Sequence, residues 1–213
     1  MRKIVSASLL DLRIVDGELS HVSLKSLPGF CEETLVPQLF DELLTRPDHQ
    51  IVTFGGLNAE QPILEMAAMR LHLKLPLALR KGAKFGRYDE YRHLDLALSL
   101  KGGGSYAHLS EMAAALHLPF KCAGSADRVE LLALHRCWKA IAEISEIDTV
   151  STSLVLLSWL AANGSIEHPL AKQVSLLKQL IERPEVSSYT SELRKAHQQM
   201  NEQLFAQAWK EAA

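Results

Sequence analysis

The sequence predicts a mixed α/β fold whose C-terminal quarter is all helix. Two runs rich in β-branched and aliphatic residues, Lys3–Leu12 and Glu18–Leu27, flank Asp16-Gly17, which is a strong two-residue hairpin signal. A short apolar run, Ile51–Phe54, then alternates with helical patterns, and from Leu109 onward the patterns are helical. Together these runs predict an α/β sandwich with a mixed sheet.

The remaining elements follow from helical spacing and from helix breakers. Thr34–Leu44 carries an apolar stripe with Pro37 in its first turn, and Gln61–Leu73 forms a second amphipathic pattern. Leu75–Tyr91 predicts a long irregular connection, and His93–Leu100 predicts a short strand or the start of a helix. The C-terminal part predicts further helices: two segments within Ser125–Ala162 that break near Ile144, one over Leu170–Ile181, and one over Ser191–Trp209.

Composition places the chain among ordinary globular proteins. Of its 213 residues, 47% are hydrophobic and 23% are charged, so a packed core is expected. The net charge of −2 excludes a globally basic nucleic-acid binder and leaves room for a local basic strip. Cys31, Cys122 and Cys137 have no CxxC spacing, which predicts free thiols, with Cys122 and Cys137 in the core. Because the N-terminus has no signal-peptide pattern, we expect a cytoplasmic protein.

One junction has the pattern of a ligand-binding edge. After the apolar run Ile51–Phe54, the chain breaks at Gly55-Gly56 and enters a helix, with Asn58 as the expected cap and Glu60 in the first turn. Such junctions present acidic groups to a metal or phosphate ligand in α/β proteins. Asp95, in the later segment HLDL, is expected to be structural and to accept backbone hydrogen bonds near this site.

A basic and aromatic cluster lies within the long connection. Cations and rings in such a mixture are suited to single-stranded nucleic acid, because charges meet phosphates and rings stack on bases. A solvated connecting loop is the competing interpretation. The candidate nucleic-acid-binding residues are Arg80, Lys81, Lys84, Arg87, Tyr88 and Arg92, with Phe85 and Tyr91 interleaved.

Four segments, in the right order, resemble one family. IVTFGGLNAEQPILEMAAMRL is similar to the second exonuclease motif of the predicted 3′-5′ exonucleases related to the proofreading domain of family-B DNA polymerases. RYDEYRHLDLALSL, LSEMAAALHLPFK and EIDTVSTSLVLL are similar to later segments of the same family, the last of them to its third motif. The resemblance covers Ile51 to Leu157 and implies a ribonuclease H-like fold of the DnaQ exonuclease type.

The resemblance also implies a chemistry. Members hydrolyse a terminal phosphodiester with two divalent metals, Mg²⁺ or Mn²⁺, held by four acidic residues. Two of these acids form a D-x-E pair on the first strand, and one comes from each of the second and third motifs. A Tyr or His four residues before the last acid positions the attacking water. In this chain the motif acids correspond to Glu60, one methylene longer than the family's Asp, and to Asp148.

The departures from that pattern concern the catalytic groups. The first residues, Met1–Leu12, resemble the family's second strand, so the strand with the D-x-E pair is expected to lie outside this chain. Ile144 stands where the family has the water-orienting Tyr, and Gly55 and Ala59 replace an Asn and a Phe of the motif. Two carboxylates are too few for a pair of dications. Glu60 and Asp148 are therefore expected to bind one ion weakly, if any.

These observations predict an exonuclease-like protein whose two-metal site is largely lost and which binds single-stranded nucleic acid or a protein partner. One alternative is an active 3′-5′ exonuclease completed by an upstream segment or a second subunit, and another is a structural or regulatory subunit without nucleic-acid contact. A sheet lacking a strand leaves an open edge, which favours a homo-oligomer or a partner strand. No membrane association is expected. The predicted organisation is a DnaQ-like domain over residues 1–165 and a helical extension over residues 166–213.

Overall fold

The computed structural model describes residues 3–27, 31–80, 82, 92–101, 105, 107–119, 126–182 and 190–211. Within these ranges the chain is a mixed α/β protein, as predicted. The elements in chain order are β1 (Ala7–Val15), β2 (Glu18–Leu27), α1 (Glu32–Leu44), β3 (Ile51–Thr53), α2 (Glu60–Arg70), β4 (His93–Asp95), α3 (Leu96–Leu100), α4 (Leu109–Ala115), α5 (Ala126–Leu134), α6 (Trp138–Ala162), α7 (Pro169–Ile181) and α8 (Thr190–Glu211), with a 3₁₀ turn over Leu77–Leu79 between α2 and β4.

The strands form two separate two-stranded sheets in the described ranges, so the prediction of one mixed sheet is wrong there. The first sheet pairs β1 with β2, because the Asp16-Gly17 turn places two consecutive strands side by side. Both turn residues have positive φ, 51° and 76°, which confirms the predicted hairpin. The second sheet pairs β3 with β4 in parallel, and each of these strands is only three residues long.

The chain divides into two compact units. One comprises Met1–Ala7 with Leu27–His108, and the other comprises Ser8–Ser26 with Leu109–Ala213. We call them unit 1 and unit 2. The predicted boundary at residue 165 separates a DnaQ-like domain from a helical extension. It is a different kind of division from these compact units, and it stays a prediction.

Unit 1 contains α1, the parallel β3–β4 pair, α2 and α3. The register of the pair aligns Ile51 with His93 and Thr53 with Asp95, so both strands end at the same edge. Helices α1 and α2 are joined by an ion pair between Arg70 and the buried Glu32, whose carboxylate also accepts the Ile4 N–H. The apolar core of this unit includes Leu35, Val36, Leu39, Phe40, Leu64, Ala67, Leu79 and Leu96.

Unit 2 contains the β1–β2 hairpin and the helices α4 to α8. Helix α7 contacts both α6 and α8, and the core between them includes Leu154, Leu157, Leu176, Leu177, Leu180, Leu193 and Met200. The hairpin is tied to this helical part by polar contacts: Ser26 donates to Glu146, Thr149 Oγ1 donates to the Ser8 carbonyl, and Lys172 pairs with Glu18.

Two expectations about this unit are wrong. Helix α6 runs without interruption through Ile144, and the break lies earlier, where Arg136 adopts φ 55° and the Cys137 N–H bonds the Leu132 carbonyl to close α5. Ile144 faces the core, so nothing there interrupts the helix. Cys137 is exposed rather than buried, because it precedes α6 at this turn. Cys122 lies outside the described residues.

Pro37 lies in the interior of α1 rather than in its first turn, because the helix begins at Glu32. Among the described residues, no helix has the length and apolarity needed to span a membrane.

Candidate functional site

The predicted site lies at the common carboxyl edge of β3 and β4 in unit 1. After β3 the chain passes through Gly55 and Gly56 and enters α2 at Glu60. After β4 it turns directly into α3, with Asp95 as the N-cap residue. In α/β proteins the carboxyl ends of parallel strands are where ligands bind. The structure therefore brings the glycine loop, Glu60 and Asp95 to one edge.

Asp95 is the structural anchor of this edge. Its Oδ1 accepts hydrogen bonds from the N–H groups of Gly55 at 2.8 Å, Ala97 at 3.0 Å and Leu98 at 3.4 Å. Its Oδ2 accepts from the N–H of Leu57 at 2.9 Å. Three of the four donors converge on Oδ1 and one reaches Oδ2, and the residue is only 3% exposed. The expectation that Asp95 accepts backbone hydrogen bonds is confirmed, and its carboxylate holds the glycine loop against the start of α3.

The two glycines of the loop have different reasons to be glycine. Gly55 has φ +82°, a conformation that a residue with a Cβ adopts at a cost. Gly56 is confined by space, because a Cβ there would lie 2.6–2.8 Å from the side-chain atoms of Thr53. The close approach of Gly56 to Thr53 keeps the loop tight enough for Gly55 and Leu57 to reach Asp95.

Glu60 is the first residue of α2, and its side chain is exposed. Desolvation by the neighbouring protein raises the pKa of Glu60, the negative charge of Asp95 raises it further, and a hydrogen bond from the Glu60 backbone opposes both. The Glu60 side chain nevertheless remains open to solvent, which screens the effect of its charged neighbour. The prediction that Asn58 caps this helix is wrong: Ala59 precedes α2, and it makes no side-chain cap hydrogen bond.

His93 lies on the same face of the strand pair as Thr53. Its Nε2 is 2.9 Å from Thr53 Oγ1, while its Nδ1 is buried and has no hydrogen-bond partner in the described part of the chain. Burial lowers the pKa of His93, and the Asp95 carboxylate partly offsets this effect.

Gln61 is the residue of this edge that the sequence analysis missed. It is 1% exposed, and its Nε2 donates to the Leu79 carbonyl at 2.8 Å and to Glu65 Oε1 at 3.0 Å. Its Oε1 is buried without a partner among the described residues. A sequence signal existed, since Gln61 and Glu65 are four residues apart on a helix, but this spacing is common on exposed helix faces.

The third-motif residues lie on α6 in unit 2. Asp148 is half-buried, and Ile144, one turn before it, is 7% exposed and packs in the core. Glu146, between them, is buried and accepts a hydrogen bond from Ser26. Asp148 belongs to unit 2 and Glu60 to unit 1, and their joint binding of one ion stays a prediction.

The letters D-x-E do occur in the chain, at Asp16-Gly17-Glu18. They span the hairpin turn rather than a strand, and the Glu18 carboxylate pairs with Lys172 Nζ at 3.0 Å. Both acids therefore lie at the tip of the β1–β2 hairpin.

The structure describes two of the six predicted nucleic-acid-binding residues. Arg80 is exposed, and its Nε donates to the Leu75 carbonyl at 3.2 Å. Arg92 is half-buried and donates from Nη1 to the Pro47 carbonyl, which gives it a structural role beside β4. The other four, Lys81, Lys84, Arg87 and Tyr88, lie outside the described residues.

The acids at this edge do not fit a pair of divalent metal ions. Two hard dications need several carboxylate oxygens that are not already engaged. Asp95 is buried and accepts hydrogen bonds from four backbone N–H groups, which leaves Glu60 as the exposed carboxylate among the residues described at this edge. Within the described ranges, no group of three or more His, Cys, Asp or Glu side chains has the arrangement of a metal site.

Comparison with known proteins supplies the family. Residues 1–200 match the family described as "Predicted 3'-5' exonuclease related to the exonuclease domain of PolB". Searches of curated proteins and of solved structures found no match to this chain. The match spans nearly the whole sequence, including the four segments whose motifs resembled this family. The chain therefore belongs to the family of predicted 3′-5′ exonucleases related to the exonuclease domain of PolB.

Proposed function

We propose that this protein is a pseudo-exonuclease: a ribonuclease H-like domain of the DnaQ type that binds the 3′ end of single-stranded nucleic acid after losing most of its two-metal site. Family membership supports the fold and the class of ligand. The free, exposed thiols of Cys31 and Cys137 are compatible with the reducing cytoplasm that we propose as its compartment.

The observation that carries the proposal is the state of Asp95. Its negative charge acts on the predicted motif residue Glu60, and its carboxylate accepts hydrogen bonds from four backbone N–H groups. A buried carboxylate in that state stabilises the loop, which argues against a role as a metal ligand. Ile144 adds a second argument, since a buried aliphatic side chain cannot orient a water molecule.

Ligand binding depends on local rather than overall charge. The net charge is −2, so attraction to phosphates requires a concentrated group of cations. Arg80 is exposed at the start of the basic cluster and supports this part of the proposal.

A nuclease assay combined with a binding assay tests the proposal. We expect a 3′-labelled single strand to be retained by the protein and to remain uncleaved in Mg²⁺ or Mn²⁺, for the wild type and for Asp148→Ala alike. Charge reversal at Lys81, Lys84 and Arg87 should abolish retention, because binding rests on phosphate contacts. Cleavage by the wild type that disappears in Asp148→Ala would reverse the conclusion on activity.

The second candidate is an active 3′-5′ exonuclease completed by an upstream segment or by a second copy of the chain. The presence of acids at both motif positions, Glu60 and Asp148, favours it, and the buried Ile144 opposes it. Activity that appears only at concentrations where sedimentation shows a dimer, or only when an upstream segment is included, would support this candidate. If the wild type neither cleaves nor retains nucleic acid, a structural or regulatory subunit is the remaining interpretation.

A further inference from the structure

A buried glutamine connects the two parts of unit 1 that carry the predicted acid and the first predicted cation. Gln61 follows Glu60 in the first turn of α2, and its Nε2 donates to the Leu79 carbonyl at 2.8 Å. Leu79 directly precedes Arg80. A single hydrogen bond therefore links the helix turn that bears Glu60 to the backbone that bears Arg80.

The 3₁₀ turn before Arg80 makes this link effective. The Leu79 N–H bonds the Pro76 carbonyl at 3.0 Å, and the Arg80 N–H bonds the Leu77 carbonyl at 3.1 Å. The Leu79 side chain is buried, while the Arg80 side chain is exposed and braced through Nε on the Leu75 carbonyl. Because these hydrogen bonds hold the backbone at Leu79 and Arg80, the exposed Arg80 side chain extends into solvent from a fixed position.

Gln61 occupies its position at a cost to stability. Its Oε1 is buried without a donor in the described part of the chain, and a buried amide oxygen without a partner is destabilising. A methionine of similar size would fill the space and would bring no polar atom. What glutamine supplies and methionine does not is the pair of N–H donors, one of which holds Leu79.

We propose that Gln61 is a positioning residue, which fixes Arg80 relative to Glu60 so that Arg80 contacts a phosphate near the 3′ end of the bound strand. This inference rests on the proposed nucleic-acid-binding function. Gln61 itself makes no contact with the ligand. Its whole effect on binding is through the orientation of Arg80.

The test compares salt-dependent binding of a fluorescein-labelled oligothymidylate with a free 3′ hydroxyl by the wild type and by Gln61→Met. Losing one ordered phosphate contact should weaken binding about tenfold and make the salt slope shallower by roughly 0.7. Arg80→Ala, at an exposed position, should give the same two changes. The double variant should be no weaker than either single variant, because both remove one contact.

Unit 2 offers a matched control. Gln173 is also buried, at 4% exposure, and its Nε2 likewise donates to a backbone carbonyl, that of Leu154 at 2.9 Å, and to a side-chain oxygen, that of Ser158 at 2.8 Å. Gln173→Met should lower the melting temperature and leave the salt slope unchanged. Should Gln61→Met fail to fold, Gln61→Asn retains the amide but is too short to reach Leu79, and it should show the same binding changes.

Amide hydrogen exchange gives a readout that needs no ligand. Gln61→Met should speed exchange at Leu79 and Arg80, whose N–H groups close the 3₁₀ turn. A wild type that binds, together with a Gln61→Met variant of unchanged affinity and salt slope, would overturn this inference and leave the proposed function intact. A wild type that does not bind would remove both.

Discussion

At the scale of single residues, the edge of the β3–β4 pair shows that the type of a side chain does not determine its role. Asp95 and Glu60 are both carboxylates at this edge. Asp95 is buried and engaged by four backbone N–H groups, whereas Glu60 is exposed and has a raised pKa. The difference comes from what each carboxylate contacts. Asp95 therefore acts through the backbone, whereas the Glu60 side chain remains open to solvent.

Asp95→Asn should destabilise the protein by about 3 kcal/mol. The charge-assisted hydrogen bonds are lost, and the new amide N–H₂ group faces backbone N–H donors from which it cannot accept a hydrogen bond. Urea unfolding checks this value through the midpoint at constant slope. Asp41→Asn, at an exposed carboxylate of α1, is the control and should change stability by less than about 0.5 kcal/mol. Equal stability of the two variants would contradict the anchoring role of Asp95.

His93 should make stability depend on pH. Its pKa is lowered from the usual 6.5 in the folded protein, so below pH 6.5 the unfolded chain binds a proton that the folded chain resists. The neutral His93 side chain therefore contributes its full share to the free energy of unfolding above pH 6.5. This contribution is lost as the pH falls below that value. Unfolding of the wild type and of His93→Gln, measured from pH 8 to pH 5, should therefore show a steeper loss for the wild type. His21→Gln, at an exposed histidine of β2, should follow the wild type, and a His93→Gln curve parallel to the wild type would refute the assignment.

At the scale of elements, the junction from β3 to α2 combines a strand end, a tight loop and a helix start. The sequence predicted its order, since the apolar run, the paired glycines and the helical stripe are all visible there. The cap was not predictable in the same way. Asn is a common cap residue, which is why Asn58 was predicted. In the structure the helix begins without a side-chain cap, and the loop before it is held by Asp95, which lies 37 positions after Asn58 in the chain.

Gly56→Ala should destabilise the junction by about 2 kcal/mol, because the new Cβ overlaps the Thr53 side chain and packed surroundings yield at a cost. Gly55→Ala tests a different cause: its Cβ meets open space, so its expected cost of about 1 kcal/mol is conformational. Thr53→Ala should partly rescue Gly56→Ala and should not rescue Gly55→Ala, as a double-mutant cycle by thermal unfolding can measure. A neutral Gly56→Ala would show that the loop has room to relax.

At the scale of the whole molecule, local signals predicted the elements well. The hairpin, α1, α2, β3 and the C-terminal helices all lie close to their predicted positions, because hydrophobic spacing and turn residues act over short distances. The break before α6 was misplaced, since it depends on a left-handed residue, Arg136, whose type does not suggest that conformation. In the part of the chain that the structure describes, two sheets stand where one was predicted, because strand pairing is a long-range property that the spacing of one strand does not encode.

The site was predictable to a similar extent. The motif positions led to Glu60, and the segment HLDL led to Asp95 as a structural acid, which the hydrogen bonds confirm. Gln61 was not found, because its contact with Leu79 joins residues 18 positions apart and depends on how α2 packs against the 3₁₀ turn. The partners of a buried polar side chain appear only after the core is assembled.

The discontinuity of unit 2 has a consequence for how the chain is made. Its β1–β2 hairpin is translated more than a hundred residues before the side chains that hold it, which are those of Glu146, Thr149 and Lys172. At about 5–20 residues per second, the hairpin waits on the order of 10 s for these partners. During that interval its strand edges are exposed to other nascent chains. Dense polysomes and slow codons between the hairpin and α7 should therefore favour aggregation of this protein.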